Sequence, residues 1–509
     1  MRSDATAADR GGFEQVYDAC VIGGGPAGIT VARALARGGA KVALMEAGGL
    51  EIELDSQDPY VGENVGLDYF PLDTSRLRFF GGTSNHWAGW CRAMEPVDFV
   101  PKSFNRLSGW PIGKLDLDPY RAEADQILDV PNESEAPNLP FAQSAYRFHR
   151  FQFRWSPPTR FGEKYLDELT NSDRIDLWLN ANLVAMPMDE AGTEVQGAVF
   201  KSYAPDDPGF TVKARYYVLA TGGVENARLL LAMDQQFPEG IGNRTDMVGR
   251  FFCDHPHFVI SDVVLRQPQQ EREYFMPTEE FLFENEIMNF GLRLEPEYHP
   301  PETGVADSLI RGAACGRDFS ERLAEKVLGR ELANCDLGGI EAWWNIRGEP
   351  RPEPLAITRI AFEQALNPDS RVRLGTERDA FGLRRPLLDW RMSEMDVHTM
   401  RTAAMAYGAH IAEQDIGRLK LRDWLTAEPA KIPGTAEDEV GGKHHMGTTR
   451  MSADPRDGVV DGDCRVHGVD NLYIGGSSVF STPGHSNPTY TLTQLALRLG
   501  DHLTRRLTA

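Results

Sequence analysis

Residues 17–28 read YDACVIGGGPAG, and the fold turns on that stretch. Tyr17–Gly23 is an apolar run of strand length that stops at glycine. Gly23-x-Gly25-x-x-Gly28 follows at once, and an amphipathic pattern predicts a helix over Ala27–Arg37. A second strand, KVALMEA at 41–47, completes a strand–turn–helix–strand unit, the opening of a parallel sheet. The glycines have separate tasks: Gly23 makes the tight turn, Gly25 admits a pyrophosphate to the backbone, and Gly28 lets helix and strand pack closely. Pro26 and Ala27 carry the helix N-terminus, whose unpaired N–H groups favour phosphate charge. Glu46 ends the second strand 46 − 28 = 18 residues after Gly28, where a carboxylate can hold a ribose hydroxyl. An ordinary glycine-rich turn lacks this combination of strand, helix and acid. The unit predicts a dinucleotide site.

Composition narrows the class. A chain of 509 residues implies more than one domain, and 41% hydrophobic with 25% charged residues is ordinary for a globular enzyme. The net charge of −22 argues against nucleic acid, which needs a basic footprint. No apolar stretch reaches the length of a membrane span. The N-terminus MRSDATAADRGGFEQ has neither an apolar export core nor a twin arginine, and six scattered cysteines include no C-x-x-C pair. These features predict a cytoplasmic protein with buried thiols.

No second strand–GxGxxG–helix unit occurs, which disfavours separate domains for a flavin and NAD(P)H. VLATGG at 218–223 looks like the second cofactor-contact strand of glutathione-reductase-type folds and selects FAD, with Ala220, Thr221 and Gly222 at the contact. Helices are predicted over Glu225–Met233, near Pro119–Leu128, from Ser393 (with the capping-box partner Asp396) to about Glu413, and after Pro488. FVISDVVL, IMNFGLRLE and ITRIAFEQAL suit an antiparallel sheet within 257–300 and 355–391, with 295–355 loop- and helix-like. The predicted fold is α/β plus α+β. A Rossmann-like FAD domain (15–100, 176–256 and 440–509) is interrupted by a substrate domain (101–175 and 257–439) built on an antiparallel sheet flanked by helices, after a polar tail over 1–14.

The chain resembles the glucose–methanol–choline (GMC) oxidoreductases from about residue 15 onward. The likeness is carried by VIGGGPAGITVARAL (21–35), RFFGGTSNHWAGWCRAMEPVDF (78–99), GWPIGKLDLDPYRAEADQIL (109–128), NANLVAM (180–186), VLATGGVENARLLLA (218–232) and VGRFFCDHP (248–256). It continues through 367–396, HHMGTTRM (444–451) and NLYIGGSSVFSTPGHSNPTYTLTQLALRLGDHL (471–503). Its texture is nearest to bacterial sugar oxidoreductases and pyranose 2-oxidase. The resemblance implies FAD contacts at Gly81, Gly82, Thr83, Ser84, His86, Trp87, Val184, Gly475, Gly476, Pro488 and Thr489. It also aligns His86 with a histidine that several relatives link to the flavin; linked and unlinked FAD both stay open. Pyranose 2-oxidase has a threonine where this chain has Ala88, so oxidase and dehydrogenase chemistry stay open as well.

In this family a histidine in H-x-x-G-T and a His or Asn in the last segment face the flavin ring. Those positions fall on His444 and Asn487. Neutral imidazole suits removal of a hydroxyl proton, and an amide N–H can stabilise the developing alkoxide. His445 is the alternative base if the register is reversed. His444, His445 and His485 lack a carboxylate or cysteine partner that would make them metal ligands. His485 is assigned no role, and His255 and His257 fall in the hinge to the substrate domain. The implied reaction is oxidation of an alcohol, a secondary hydroxyl of a sugar or glycoside (C2 or C3 of a pyranose), with oxygen, a quinone or another carrier taking the electrons. Alternatives are a non-sugar alcohol or sterol, a catalytic subunit serving a cytochrome, and a lyase of the hydroxynitrile type. A flavin monooxygenase is disfavoured because GGSSVF replaces the usual GD motif before the last helix. Trp343, Trp344 and Tyr298 are candidates for stacking on a sugar.

Overall fold

The computed structural model describes residues 2–6, 15–131, 146–299 and 351–509. Val16–Ile22 is a strand whose inner five residues include four fully enclosed ones, and helix Pro26–Arg37 follows. The helix starts one residue before the amphipathic pattern predicts, because proline suits the first turn, where its missing N–H costs nothing. Val16–Ile22 pairs in parallel with Val42–Met45 and with Phe210–Leu219. Ile175–Leu179 extends one side of this sheet and Leu472–Ile474 the other. An antiparallel hairpin, Asn182–Ala185 and Ala198–Lys201, joins the opposite end of Phe210–Leu219. The C-terminal helix Pro488–Thr508 packs on Pro26–Arg37 so closely that a Cβ on Gly500 would lie 2.4 Å from Ala34 Cβ.

The polar composition of 1–14 predicts a tail, yet Arg2–Asp4 pairs in parallel with Leu177–Leu179 as the edge strand. An edge needs only backbone partners, and Asp4 adds hydrogen bonds from Thr6 and Asn180. Residues 7–14 lie outside the described residues.

The second sheet is antiparallel. Its order is Gly417–Leu421, Pro256–Leu265, Arg351–Phe362, Phe290–His299, Glu273–Pro277 and Phe148–Arg150, with Val440–Gly441 beside the start of Pro256–Leu265. Helix Glu394–Glu413 covers it through Met400, Ala403, Ala404, Tyr407 and Ile411, and both hydrogen bonds of the Ser393–Asp396 capping box form. The sequence texture differs from the structure in two places. Strands continue to His299 and resume at Arg351, where prolines obscure the alternation; the register shifts between Pro296 and Tyr298. Arg371–Arg378 and Arg384–Asp389 leave this sheet and form a hairpin with Glu63–Asn64, and Val372 N–H donates to Gly249 O at 2.8 Å.

Residues 101–175 serve both halves. Phe148–Arg150 edges the antiparallel sheet, whereas helix Arg121–Ile127 packs on the C-terminal helix and Phe161–Thr170 packs on Pro26–Arg37. A buried polar cluster ties this region to the C-terminal segment. Lys102 Nζ lies 3.2 Å from Glu363 Oε1, with both side chains fully buried. Asn289 Nδ2 donates to Asp98 Oδ1 at 2.7 Å, and Trp110 Nε1 donates to Thr482 Oγ1, which donates to Asp98 O at 2.9 Å. Burial, reinforced by the Glu363 charge, pushes the Asp98 carboxyl up to about 7.

Lys102→Met strands that negative charge, and the loss is expected at about 3–5 kcal/mol near pH 8. Without the ammonium the folded state binds protons more tightly than the unfolded chain, so the deficit shrinks as pH falls toward 5. Urea unfolding at the two pH values reads it directly. An equal deficit at both would remove the charge argument.

Candidate active site

One cavity of about 610 Å³ runs from the Gly23–Gly28 turn to the antiparallel sheet. At its first end the backbone approaches too closely for side chains. A Cβ on Gly28 would lie 1.9 Å from Gly23 O, and one on Gly23 (φ +112°) would lie 2.4 Å from Ala220 O. Gly25, by contrast, faces open space, its nearest neighbour being Gly82 Cα at 3.9 Å from an added Cβ. Gly222 (φ +98°) has nothing within 4 Å of that position. Gly25 caps helix Pro26–Arg37 without a side-chain hydrogen bond, so the first-turn N–H groups are open to a ligand. Glu46 sits beside them, accepting from Gly24 N at 2.6 Å and Gly48 N at 2.8 Å. Burial pushes its carboxyl up, while those two N–H groups act in the other direction.

Beneath this end lies a buried charge network. Arg76 stacks 3.9 Å over the Tyr60 ring and reaches Glu225 at 3.5 Å; Arg228 Nη1 lies 2.8 Å from Glu225. Arg78 donates to Asn182 Oδ1 at 2.8 Å and to Tyr203 OH at 2.7 Å. Arg76, Arg78, Tyr60 and Glu225 all line the cavity, and the Arg76–Glu225 pair joins positions 149 residues apart, so its pairing is not marked by local spacing.

At the other end stand His444 and Asn487. Asn487 caps helix Pro488–Thr508, and its Nδ2 lies 3.4 Å from His444 Nε2. His444 is fixed from behind by its own N–H, which donates to Asp254 Oδ1 at 2.9 Å, and by its Nδ1, 2.9 Å from His255 Nδ1. Burial lowers the His444 imidazole to about 3; the nearby His257 and His445 act in the same direction and Glu439 against it. Burial lowers His255 to about 3 and His445 to about 4. His445 packs against Tyr69 and Phe252, with centroids 5.9 and 5.8 Å away. His485, only 2% exposed, lies edge-on to Phe151 at 5.4 Å.

Most residues read from the sequence line this cavity: Gly23, Gly25, Pro26, Ala27, Glu46, Gly82, Thr83, Ser84, His86, Trp87, Ala220, Thr221, Gly222, His444, Gly476, Asn487, Pro488 and Thr489. Gly28, Gly81 and Gly475 are set back from its wall, where they allow close packing. Val184 is also off the wall, and Leu183 takes its place because successive strand residues face opposite sides. His255, read as a hinge residue, is instead in direct contact with His444. Trp343 and Trp344 lie outside the described residues, and the Tyr298 hydroxyl donates to Gln270 O. Among the described residues no cluster of three or more His, Cys, Asp or Glu gathers as a metal site, and no helix is long and apolar enough to cross a membrane.

Residues 367–496 match the family model described as GMC oxidoreductase. The fructose dehydrogenase large subunit of Gluconobacter japonicus is 28% identical over 63% of this chain, a match spanning about half (52%) of that relative's length. The 2-methyl-1,2-propanediol dehydrogenase of Mycolicibacterium austroafricanum is 24% identical, over 96% of this chain and 95% of that one. A solved pyridoxine 4-oxidase from Mesorbium loti shares the fold at 16% identity, with a TM-score of 0.55 over 95% of this chain and 98% of that one. By these matches the chain is similar to the GMC oxidoreductases, FAD enzymes that act on CH–OH groups. The cavity fits that cofactor: it is long, glycine-lined where a pyrophosphate must approach, and carries a helix N-terminus and an acid at one end.

Gly25→Val tests the cradle, since a side chain there meets little protein and projects into the cavity. The variant is expected to keep wild-type circular dichroism but bind FAD about a hundredfold more weakly, or about 2.8 kcal/mol. Flavin titration of the apoprotein measures the change.

Proposed function

We propose that this enzyme oxidises a secondary ring hydroxyl of a sugar or glycoside, at C2 or C3 of a pyranose, to the ketone. The observation that carries the reading is the neutral His444 imidazole with Asn487 Nδ2 3.4 Å from its Nε2, both on the cavity wall. His444 takes the hydroxyl proton at Nε2, and the Asn487 amide donates to the oxygen as negative charge develops. Gly23–Ala27, Glu46, Gly82–Ser84 and Ala220–Gly222 would hold FAD, which when bound would supply the two-electron acceptor for the hydride leaving the carbinol carbon. Pro488 and Thr489 bring the positive end of the C-terminal helix to the same region, which favours negative charge there.

Two features of the outer cavity support a polyhydroxylated substrate. One wall is aromatic: Trp90 and Phe153 have centroids 4.8 Å apart, and Phe153 and Tyr274 5.6 Å apart. A polar strip beside it carries Arg293, Arg359, His257 and Glu439, with Arg293 5.5 Å over the Trp90 ring. Its arginines are each paired with a carboxylate, Arg293 with Glu295 and Arg359 2.7 Å from Asp438. Such a strip offers hydroxyl groups both donors and acceptors with little net charge, while flat rings suit the C–H face of a pyranose. Two of the relatives are named for polyhydroxylated compounds, one for fructose and one for a 1,2-diol.

The test is anaerobic mixing of the purified holoenzyme with a panel of pyranoses and aryl glycosides. Bleaching of the oxidised flavin band is the expected outcome, and the rate of its return in air separates oxidase from dehydrogenase. A band untouched by sugars but bleached by simple alcohols or sterols would overturn the sugar assignment. No bleaching by any alcohol would favour the lyase alternative. His444→Ala should slow bleaching by about 10²–10⁴ with FAD retained. Asn487→Asp should also slow it severely, because a carboxylate repels the alkoxide; an unchanged rate would refute the donor role.

A further inference from the structure

We infer that His255 is a positioning residue that fixes the tautomer of His444 and so aims its lone pair into the cavity. The inference rests on the proposed role of His444 as base. It follows from the partners at the two nitrogens of His255. Nε2 lies 3.1 Å from Pro483 O, and a carbonyl oxygen can only accept, so Nε2 carries the proton. The ring is 1% exposed with a histidine as its other neighbour, an environment that keeps it neutral. A neutral imidazole protonated at Nε2 has an acceptor at Nδ1. That acceptor lies 2.9 Å from His444 Nδ1, which must therefore be the donor. His444 is then protonated at Nδ1, and the lone pair falls on Nε2, the nitrogen facing Asn487.

The other end of the chain agrees. Asn487 presents its Nδ2, a donor, to His444 Nε2, which fits an acceptor there and not a second N–H. Without substrate, donation thus runs from His255 to Pro483, from His444 to His255, and from Asn487 to His444, and a bound hydroxyl takes the place of the last of these. The Pro483 carbonyl belongs to the segment that carries Asn487, so one ring joins the two segments that supply the site. His255 has its own anchor as well, since its backbone N–H donates to Asp254 Oδ1 at 2.6 Å, the oxygen that also receives His444 N–H. When His444 takes a proton at Nε2, its Nδ1–H becomes a more acidic donor, and the His255 lone pair stabilises the imidazolium that forms.

The test uses His255→Leu and His255→Asn in the FAD-loaded enzyme, with His444→Ala alongside. Asn places an amide oxygen near the position of the imidazole Nδ1 and keeps an acceptor for His444; Leu removes it. His255→Leu should cut the anaerobic flavin-reduction rate constant by about 10²–10³-fold with little change in the apparent substrate Kd, within the range for a misplaced tautomer or lost orienting partner. His255→Asn should recover all but about tenfold. A second readout is independent of turnover. In uniformly [¹⁵N]histidine-labelled protein, the His444 resonances, assigned by their loss in His444→Ala, should report Nδ1 protonated and Nε2 bare. In His255→Leu both should move toward the average of mixed tautomers.

Wild-type reduction rates in His255→Leu, or an Asn variant no faster than Leu, would overturn the inference. A wild-type His444 bearing its proton at Nε2 would overturn it too. If His444→Ala itself reduced at the wild-type rate, the base assignment would fall instead, so the two failures are distinguishable.

Discussion

The Asp254 carboxylate is the point on which the site is built. It is fully buried at the start of the first long strand of the antiparallel sheet, and its two oxygens gather three segments far apart in sequence. Oδ1 receives the backbone N–H of His444 and of His255, while Oδ2 receives the Tyr69 hydroxyl. Gln364, two residues past strand Arg351–Phe362, receives the Asp254 N–H at 3.2 Å and the Trp390 indole N–H at 2.9 Å, so the backbone beneath the carboxylate is tethered as well. A buried carboxylate is costly unless its lone pairs are used, and here the groups that use them include the backbone N–H of His444. Stability and geometry are served by the same bonds.

This arrangement explains how a cavity shared by two sheets keeps its end groups in register. The parallel sheet presents the Gly23–Gly28 turn and the end of Phe210–Leu219; the antiparallel sheet presents His257, Gly291, Arg293, Arg359 and Ala361. His444 and Asn487 belong to neither sheet and sit on connecting segments. Loops are mobile unless tied down, and these are tied: by Asp254 and His255 at one end, and by the Trp110–Thr482–Asp98 chain at the other.

The dinucleotide half was legible because its requirements are local. Gly23, Gly25, Gly28 and Glu46 lie within one supersecondary unit, and each meets a steric or electrostatic need that a short window of sequence expresses. Leu183 rather than Val184 lines the cavity, because a strand alternates faces and a motif match does not say which face is inward. His255 was missed for a different reason. It lies 444 − 255 = 189 residues from its partner, and a histidine beside a proline at the head of a strand reads as a hinge until the chain has folded. The edge strand Arg2–Asp4 carries no apolar signal at all, since its stabilisation comes from backbone hydrogen bonds to Leu177–Leu179.

Charge provides the last step. The chain carries a net charge of −22, and a long-range negative field would favour protonated histidines. The site moves the other way: burial is the largest influence on His444, His255, His445 and His485, and it lowers all four. Local desolvation prevails because surface charges are screened over about 10 Å, whereas the penalty for burying an imidazolium acts at the ring itself. Imidazoles crowded around one cavity also raise each other's cost of protonation, as His257 and His445 do for His444. The His444 imidazole is thereby kept neutral to well below neutral pH, with Glu439 acting in the other direction.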